Sequence, residues 1–230
     1  MSIELMALAV AVVFFVVSHF VLSHPMRLWA VRSFGQAGFQ ALYSLVALVG
    51  IMAILYLYHV APHGPTLWSS DNLALQVVYA VAGYFAVALF IASLIGNPAL
   101  VGANLNGLST RPPVGVYKIT RHPMMFAIAI WLSLQIMLMP SARNLISCGG
   151  VIVLAVLGAH WQDGKKTALS GREWSLWVAR TPFWPDLRRL GGLGVLWGVA
   201  VFPWLLATWI EVRVTYVPVG VWYFLPNLPY

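Results

Sequence analysis

The sequence predicts an all-α fold: a polytopic helical membrane protein with about six transmembrane helices. Three observations predict it. Charged residues make up only 8% of the 230 and hydrophobic residues 61%, whereas a soluble domain carries about 25% charged residues. The apolar residues form continuous runs of roughly 20, the length that crosses the hydrocarbon core as a helix, without the alternation of barrel strands. Lys and Arg, finally, crowd into alternate loops. Because lipid offers the backbone no hydrogen bonds, a spanning segment must be a helix or part of a closed barrel, and these runs read as helices.

The first predicted span is Ile3–Leu22. Its early charge is the acidic Glu4, and basic residues come after it, so it is expected to remain as a span and not to be cleaved as a signal peptide. The second is Ala41–Val60 and the third Leu73–Ile95. A Gly-, Asn- and Pro-rich loop comes next, from Gly96 to Thr120, long enough to suggest a functional role. The fourth span, Pro123–Met139, starts on a proline, which suits the first turn of a helix. The fifth, Leu145–Trp161, carries Cys148, the only cysteine, so neither an internal disulfide nor a thiolate metal cluster is expected. Next comes "DGKKTALSGREWSLWVARTPFWPDLRR". Its middle, Arg172–Ala179, predicts an amphipathic interfacial helix anchored by Trp174, Trp177 and Trp184. The sixth span is Leu193–Ile210 and completes a transmembrane domain over residues 1–210. Residues 211–230 are apolar but broken by three prolines, and predict an interfacial tail.

Eleven of the 13 Lys and Arg fall in three loops. Arg27 and Arg32 lie in the first, Arg111, Lys118 and Arg121 in the second, and six between the fifth and sixth spans. Only Arg143 and Arg213 fall on the other side. The positive-inside rule makes those loops cytoplasmic and both termini non-cytoplasmic, as a multi-pass protein of a bacterial inner membrane. The net charge of +7 complements anionic headgroups; nucleic acid is not an expected partner, membrane lipid is.

Histidines are the candidate functional residues. His59 and His63 sit at the outer end of the second span. His19, His24, His122 and His160 gather at the cytoplasmic side. His19 lies about one turn inside its span, where an ionisable group is costly and points to function. The six acidic residues all fall outside mid-span, which disfavours paired-carboxylate chemistry, a di-iron site and a Ser-His-Asp set. No P-loop or dinucleotide glycine motif is present. What remains is neutral imidazole as a metal or haem ligand, with Arg27, Arg32 or Arg121 to neutralise an anionic group such as a propionate.

Several segments together carry a family resemblance: "SHFVLSHPMRLW…GFQALYSLVAL", "YHVAPHGPTLW", "GVYKITRHPMM" and "DGKKTALSGREWSLWVARTPFWP". In that order the sequence resembles the NnrU family, bacterial membrane proteins linked to denitrification, a family that includes the 15-cis-ζ-carotene isomerases. The resemblance implies haem b, with His19 as an axial ligand. It implies cis-trans isomerisation of an apolar polyene, in which ferrous iron lowers the order of a double bond and acid/base groups stay idle. The isomerases place a Cys and a His on the fourth helix as further ligands; here Leu132 and Gln135 stand there. Leucine does not ligate iron, and an amide is a poor axial ligand. Gln135 and Arg27 are the remaining cofactor-binding candidates.

In that family Arg-His-Pro marks the start of the helix facing the cofactor region, and the resemblance places Arg121-His122-Pro123 there. Arg121 is expected to present charge to an anion, and His122 to sit at the pocket mouth. The same Arg-His-Pro occurs in isoprenylcysteine carboxyl methyltransferase-like enzymes before an S-adenosylmethionine site, and "GREWSLWVARTPFWP" is similar to their next segment. Their preceding acidic pair reads "HWQDGKK" here. Three functions are therefore expected: a haem-dependent carotenoid isomerase-like activity, a non-catalytic accessory role in nitrogen-oxide metabolism, or a methyltransferase using Arg121 and His122.

Overall fold

The computed structural model describes residues 2–100 and 103–225. Seven α-helices account for most of them, joined by short 3-10 turns, and no strand occurs among the described residues. Five helices are long and apolar enough to cross a membrane: α1 (Ile3–Ser23), α2 (Arg27–Val60), α3 (Leu73–Ser93), α5 (Ala142–Ser170) and α7 (Leu196–Thr215). The shorter α4 (Pro123–Leu138) is apolar as well, and α6 (Arg172–Arg180) is the expected amphipathic helix. The protein is thus a polytopic helical membrane protein.

Helix bounds depart from the predicted spans where hydropathy and helicity part company. The second helix begins at Arg27, fourteen residues before Ala41, and breaks at Gly35, whose φ of 69° and ψ of 174° are not helical. Only glycine adopts such a backbone without strain. The fifth helix runs nine residues past Trp161 to Ser170, because "QDGKKTALS" is polar yet built largely of helix formers. The last helix takes in Glu211 and ends at Thr215, with Tyr216 left-handed beyond it. The tail then turns once more over Gly220–Phe224. Residues 226–230 of the predicted interfacial tail lie outside the described residues.

The chain divides into two compact units, residues 1–70 with 135–158, and 71–134 with 159–230. In the first, Leu8, Val12 and Phe15 of α1 pack with Ile54 of α2, Ala61 just past it, and Ile146, Val151 and Leu154 of α5. Small residues let the backbones approach, as membrane helices require: a Cβ on Gly50 would lie 2.7 Å from Phe15 Cδ2, and one on Gly150 2.1 Å from Val12 Cγ1. Val13, Phe14, Val17, Leu45, Leu48 and Val49 are exposed, the face a bilayer would cover.

The second unit is built around Ala88, Leu89 and Ala92 of α3, Trp174 and Trp177 of α6, and Leu193 and Ala200 near the start of α7. A 3-10 turn over Gly115–Lys118 adds Val116 and Tyr117. Two polar contacts tie α3 to α7 and to the tail beyond it. Tyr79 donates its hydroxyl to Glu211 Oε2, and Gln76 Oε1 accepts the Gly220 N–H at 3.3 Å.

Candidate functional site

His19 occupies the last two turns of α1, half-buried. Its Nδ1 lies 2.7 Å from the Phe15 carbonyl, an acceptor only, so Nδ1 carries the hydrogen. The electron pair of the imidazole is therefore on Nε2. This is the tautomer that second-shell partners impose on metal-binding histidines. Two aromatic rings hold the imidazole: Phe15, one turn earlier, at 4.3 Å between centroids, and Tyr43 of α2, edge-on at 5.2 Å and 76°. Tyr43 in turn packs against Phe39 at 6.0 Å, and the Arg27 guanidinium sits 5.6 Å above the Phe39 ring. In an unbroken helix Arg27 and Phe39 would be about 18 Å apart along the axis. The break at Gly35 brings them together.

His19 and Arg27 are thus connected through a row of rings within one unit. Gln135 falls in the same unit; its carbonyl accepts from the Met139 N–H at 2.9 Å and from Asn144 Nδ2 at 3.4 Å. Among the described residues no three His, Cys, Asp or Glu side chains gather to hold a metal ion.

The Arg-His-Pro segment lies in the other unit, and its partner is an acid absent from the sequence candidates. Asp163, on the polar extension of α5, accepts from Arg121 Nε at 2.9 Å and Nη2 at 2.8 Å. His122 Nε2 lies 2.9 Å from its other oxygen, which also accepts from Trp174 Nε1 at 3.2 Å. Arg121 Nη1 donates to the Thr181 carbonyl at 2.8 Å, and its guanidinium lies 5.1 Å over Phe183. The His122 side chain is fully buried, and its Nδ1 makes no hydrogen bond.

Backbone bonds complete the clasp. The Arg121 N–H donates to Pro182 and the Asp186 N–H to Ile119, while Thr120 Oγ1 donates to the Phe183 carbonyl. The "TRHP" and "RTPFWP" segments are therefore one structural unit. Each guanidinium nitrogen of Arg121 bonds to Asp163 or Thr181, and so Arg121 holds this clasp. Asp163 could have been found in the sequence: it is one of only six acids, set just past a span, where a carboxylate needs a cation.

The loop after α3 is held from both ends of the same region. Lys166 Nζ donates to the Pro98 carbonyl at 2.8 Å, and Gln162 Nε2 to that of Ala99 at 2.6 Å. Glu173 takes the Ser109 N–H at 2.7 Å and its hydroxyl at 2.9 Å. These bonds, the backbone one foremost, hold the Glu173 carboxyl below the usual glutamate range. In the first unit Arg143 Nη2, at the start of α5, lies 2.8 Å from His63 Nε2. Desolvation, and secondarily that guanidinium, lower the His63 pKa. The His160 and Phe183 ring centroids are 6.2 Å apart, and Nδ1 of His24, the C-cap residue of α1, lies 2.7 Å from Ser23 Oγ.

Apolar spanning helices, a histidine poised inside the first of them and an Arg-His-Pro clasp define a polytopic membrane protein with an interior imidazole. A model of the NnrU protein family matches residues 7–214. The chain belongs to the NnrU family. No curated protein matches it, and neither does any solved structure.

Proposed function

We propose that the chain is a haem b-binding protein of a bacterial inner membrane that isomerises an apolar polyene of the carotenoid class, such as ζ-carotene. The observation that carries this reading is the His19 tautomer: Nδ1 donates to the Phe15 carbonyl at 2.7 Å, which leaves the Nε2 electron pair for iron. His19 would hold the iron through Nε2, and Arg27 would neutralise a propionate. Bound haem would supply a ferrous iron able to share electron density with a polyene double bond and weaken it.

The remaining residues exclude water and position. Phe15, Tyr43 and Phe39 form an apolar, aromatic wall beside His19, and such rings stack well on a conjugated ligand. No residue of this group is a proton donor of carboxyl type, in keeping with a reaction that moves no proton. Gln135 lies in the same unit, as a weak candidate ligand. Arg121 and His122, the residues a methyltransferase would use, are tied to Asp163, which favours the haem reading over an S-adenosylmethionine site.

The test is an absorption spectrum, oxidised and dithionite-reduced, of the purified protein and its His19→Ala variant. The expected result is a Soret band that the variant loses, followed by conversion of a 15-cis polyene. A colourless protein after expression with ample haem would overturn the proposal and leave the accessory role in nitrogen-oxide metabolism.

A further inference from the structure

We infer that Tyr43 is a positioning residue for His19: its ring, and not its hydroxyl, fixes the imidazole plane and so the direction in which Nε2 presents its electron pair. The inference deepens the haem reading and rests on it for its functional meaning. The terminal torsion of a histidine is broad and roughly two-fold, so the bond from Nδ1 to the Phe15 carbonyl leaves the ring plane loosely set. A flip about that torsion would put Cδ2 at the carbonyl and turn Nδ1 away. Phe15 bounds the ring at 4.3 Å and a tilt of 56°. Tyr43 meets it near-perpendicular, at 5.2 Å and 76°, the edge-to-face arrangement that aromatic quadrupoles favour.

Tyr43 is itself held. It lies one turn after Phe39 on α2 and packs against that ring at 6.0 Å; Phe39 is buried and carries the Arg27 guanidinium on its face. The row runs from a carbonyl-anchored imidazole to a buried phenyl ring, with Tyr43 the link that joins α2 to α1. An edge-on aromatic contact of this kind biases an equilibrium about five-fold, enough to select one imidazole orientation. Only the ring is needed for this, so phenylalanine should replace tyrosine and leucine should not.

The experiment compares wild type with Tyr43→Phe and Tyr43→Leu, each purified with and without haem. Without haem, the rate of His19 carbethoxylation by diethyl pyrocarbonate is read by mass spectrometry, with the exposed His63 of the same sample as reference. Tyr43→Leu should react roughly five-fold faster at His19, Tyr43→Phe at the wild-type rate, and His63 alike in all three. Phe39→Leu, which loosens Tyr43 without touching His19, should fall between and serves if Tyr43→Leu does not fold. With haem, Tyr43→Leu should keep its Soret band but shift the g-values of the low-spin ferric cyanide adduct, which report the imidazole plane. Equal His19 rates in wild type and the leucine variants would overturn the inference, as would a Tyr43→Phe variant as fast as Tyr43→Leu. A colourless wild type would count against the haem proposal alone, since the carbethoxylation rates decide the role of Tyr43 without iron.

Discussion

Asp163 gathers four donors on two oxygens: Arg121 Nε and Nη2, His122 Nε2 and Trp174 Nε1. The side chains of Arg121 and Asp163 are only 10% and 15% exposed, so the pair is poorly screened. Removing one partner of a buried pair strands the other charge. Asp163→Asn should therefore cost about 3 kcal/mol, read as an earlier loss of monodisperse protein on heating in detergent. Asp163→Glu should recover part of it. Glu173 behaves differently. It is only partly buried, and its carboxylate form is favoured by the Ser109 bonds. A lowered folded-state pKa means that this stabilisation is complete above the ordinary glutamate range and is lost as pH falls through the lowered value. Glu173→Gln should thus flatten the acid limb of the pH–stability profile while leaving stability at neutral pH less affected than Asp163→Asn does. The sequence alone showed both segments of the clasp, yet it did not show that they meet. Arg121 and Asp163 lie 42 residues apart, and no local spacing rule reaches that far. Burial of a charge is the physical reason for their pairing, and burial is not written in hydropathy.

At the scale of the elements, adjacent glycines in α5 make opposite predictions. A Cβ on Gly150 would lie 2.1 Å from Val12 Cγ1, while one on Gly149 meets nothing within 4 Å. Gly150→Ala should force α1 and α5 apart at a cost of roughly 1–3 kcal/mol. Gly149→Ala should stabilise by up to about 1 kcal/mol, since alanine loses less backbone freedom in a helix. Melting both variants checks the sign as well as the size. Gly50→Ala meets Phe15, whose carbonyl anchors His19, so it should disturb the His19 imidazole along with stability and, under the haem proposal, lower haem content too. The sequence located these helices through their apolar runs and missed their polar continuations. Hydropathy reports which residues prefer lipid; it is silent on whether Arg27–Phe34 or Gln162–Ser170 is helical. Gly35 was visible as a letter, but only the left-handed backbone there shows that it turns Arg27 back over Phe39.

For the molecule as a whole, charge sets orientation and α4 sets the crossing count. The two cations outside the basic loops have local work that accounts for their placement. Arg143 donates to the carbonyls of Tyr58 and Ala61, free acceptors at the end of α2, and stacks on Tyr58 at 4.5 Å. Arg213 stacks on Trp209 at 5.3 Å. Neither is needed to set topology. The short helix is the open quantity in the count: its 16 residues extend about 24 Å, less than the roughly 30 Å of a hydrocarbon core. Three apolar helices, α3, α4 and α5, and the amphipathic α6 lie between the exposed Thr66 and the exposed Leu187. If α4 crosses, the number of crossings between the two positions is odd and they face opposite compartments; if it enters and returns, the number is even and they share one. In a Cys148→Ser background, a membrane-impermeant maleimide should label Thr66→Cys in intact spheroplasts and Leu187→Cys only after permeabilisation. Labelling of both from outside would remove α4 from the spans; Arg121 would then stay inside while Asp163 came to lie outside, which the ion pair between them contradicts. The mirror pattern, Leu187→Cys alone from outside, would keep six crossings and reverse the orientation that the basic loops predict.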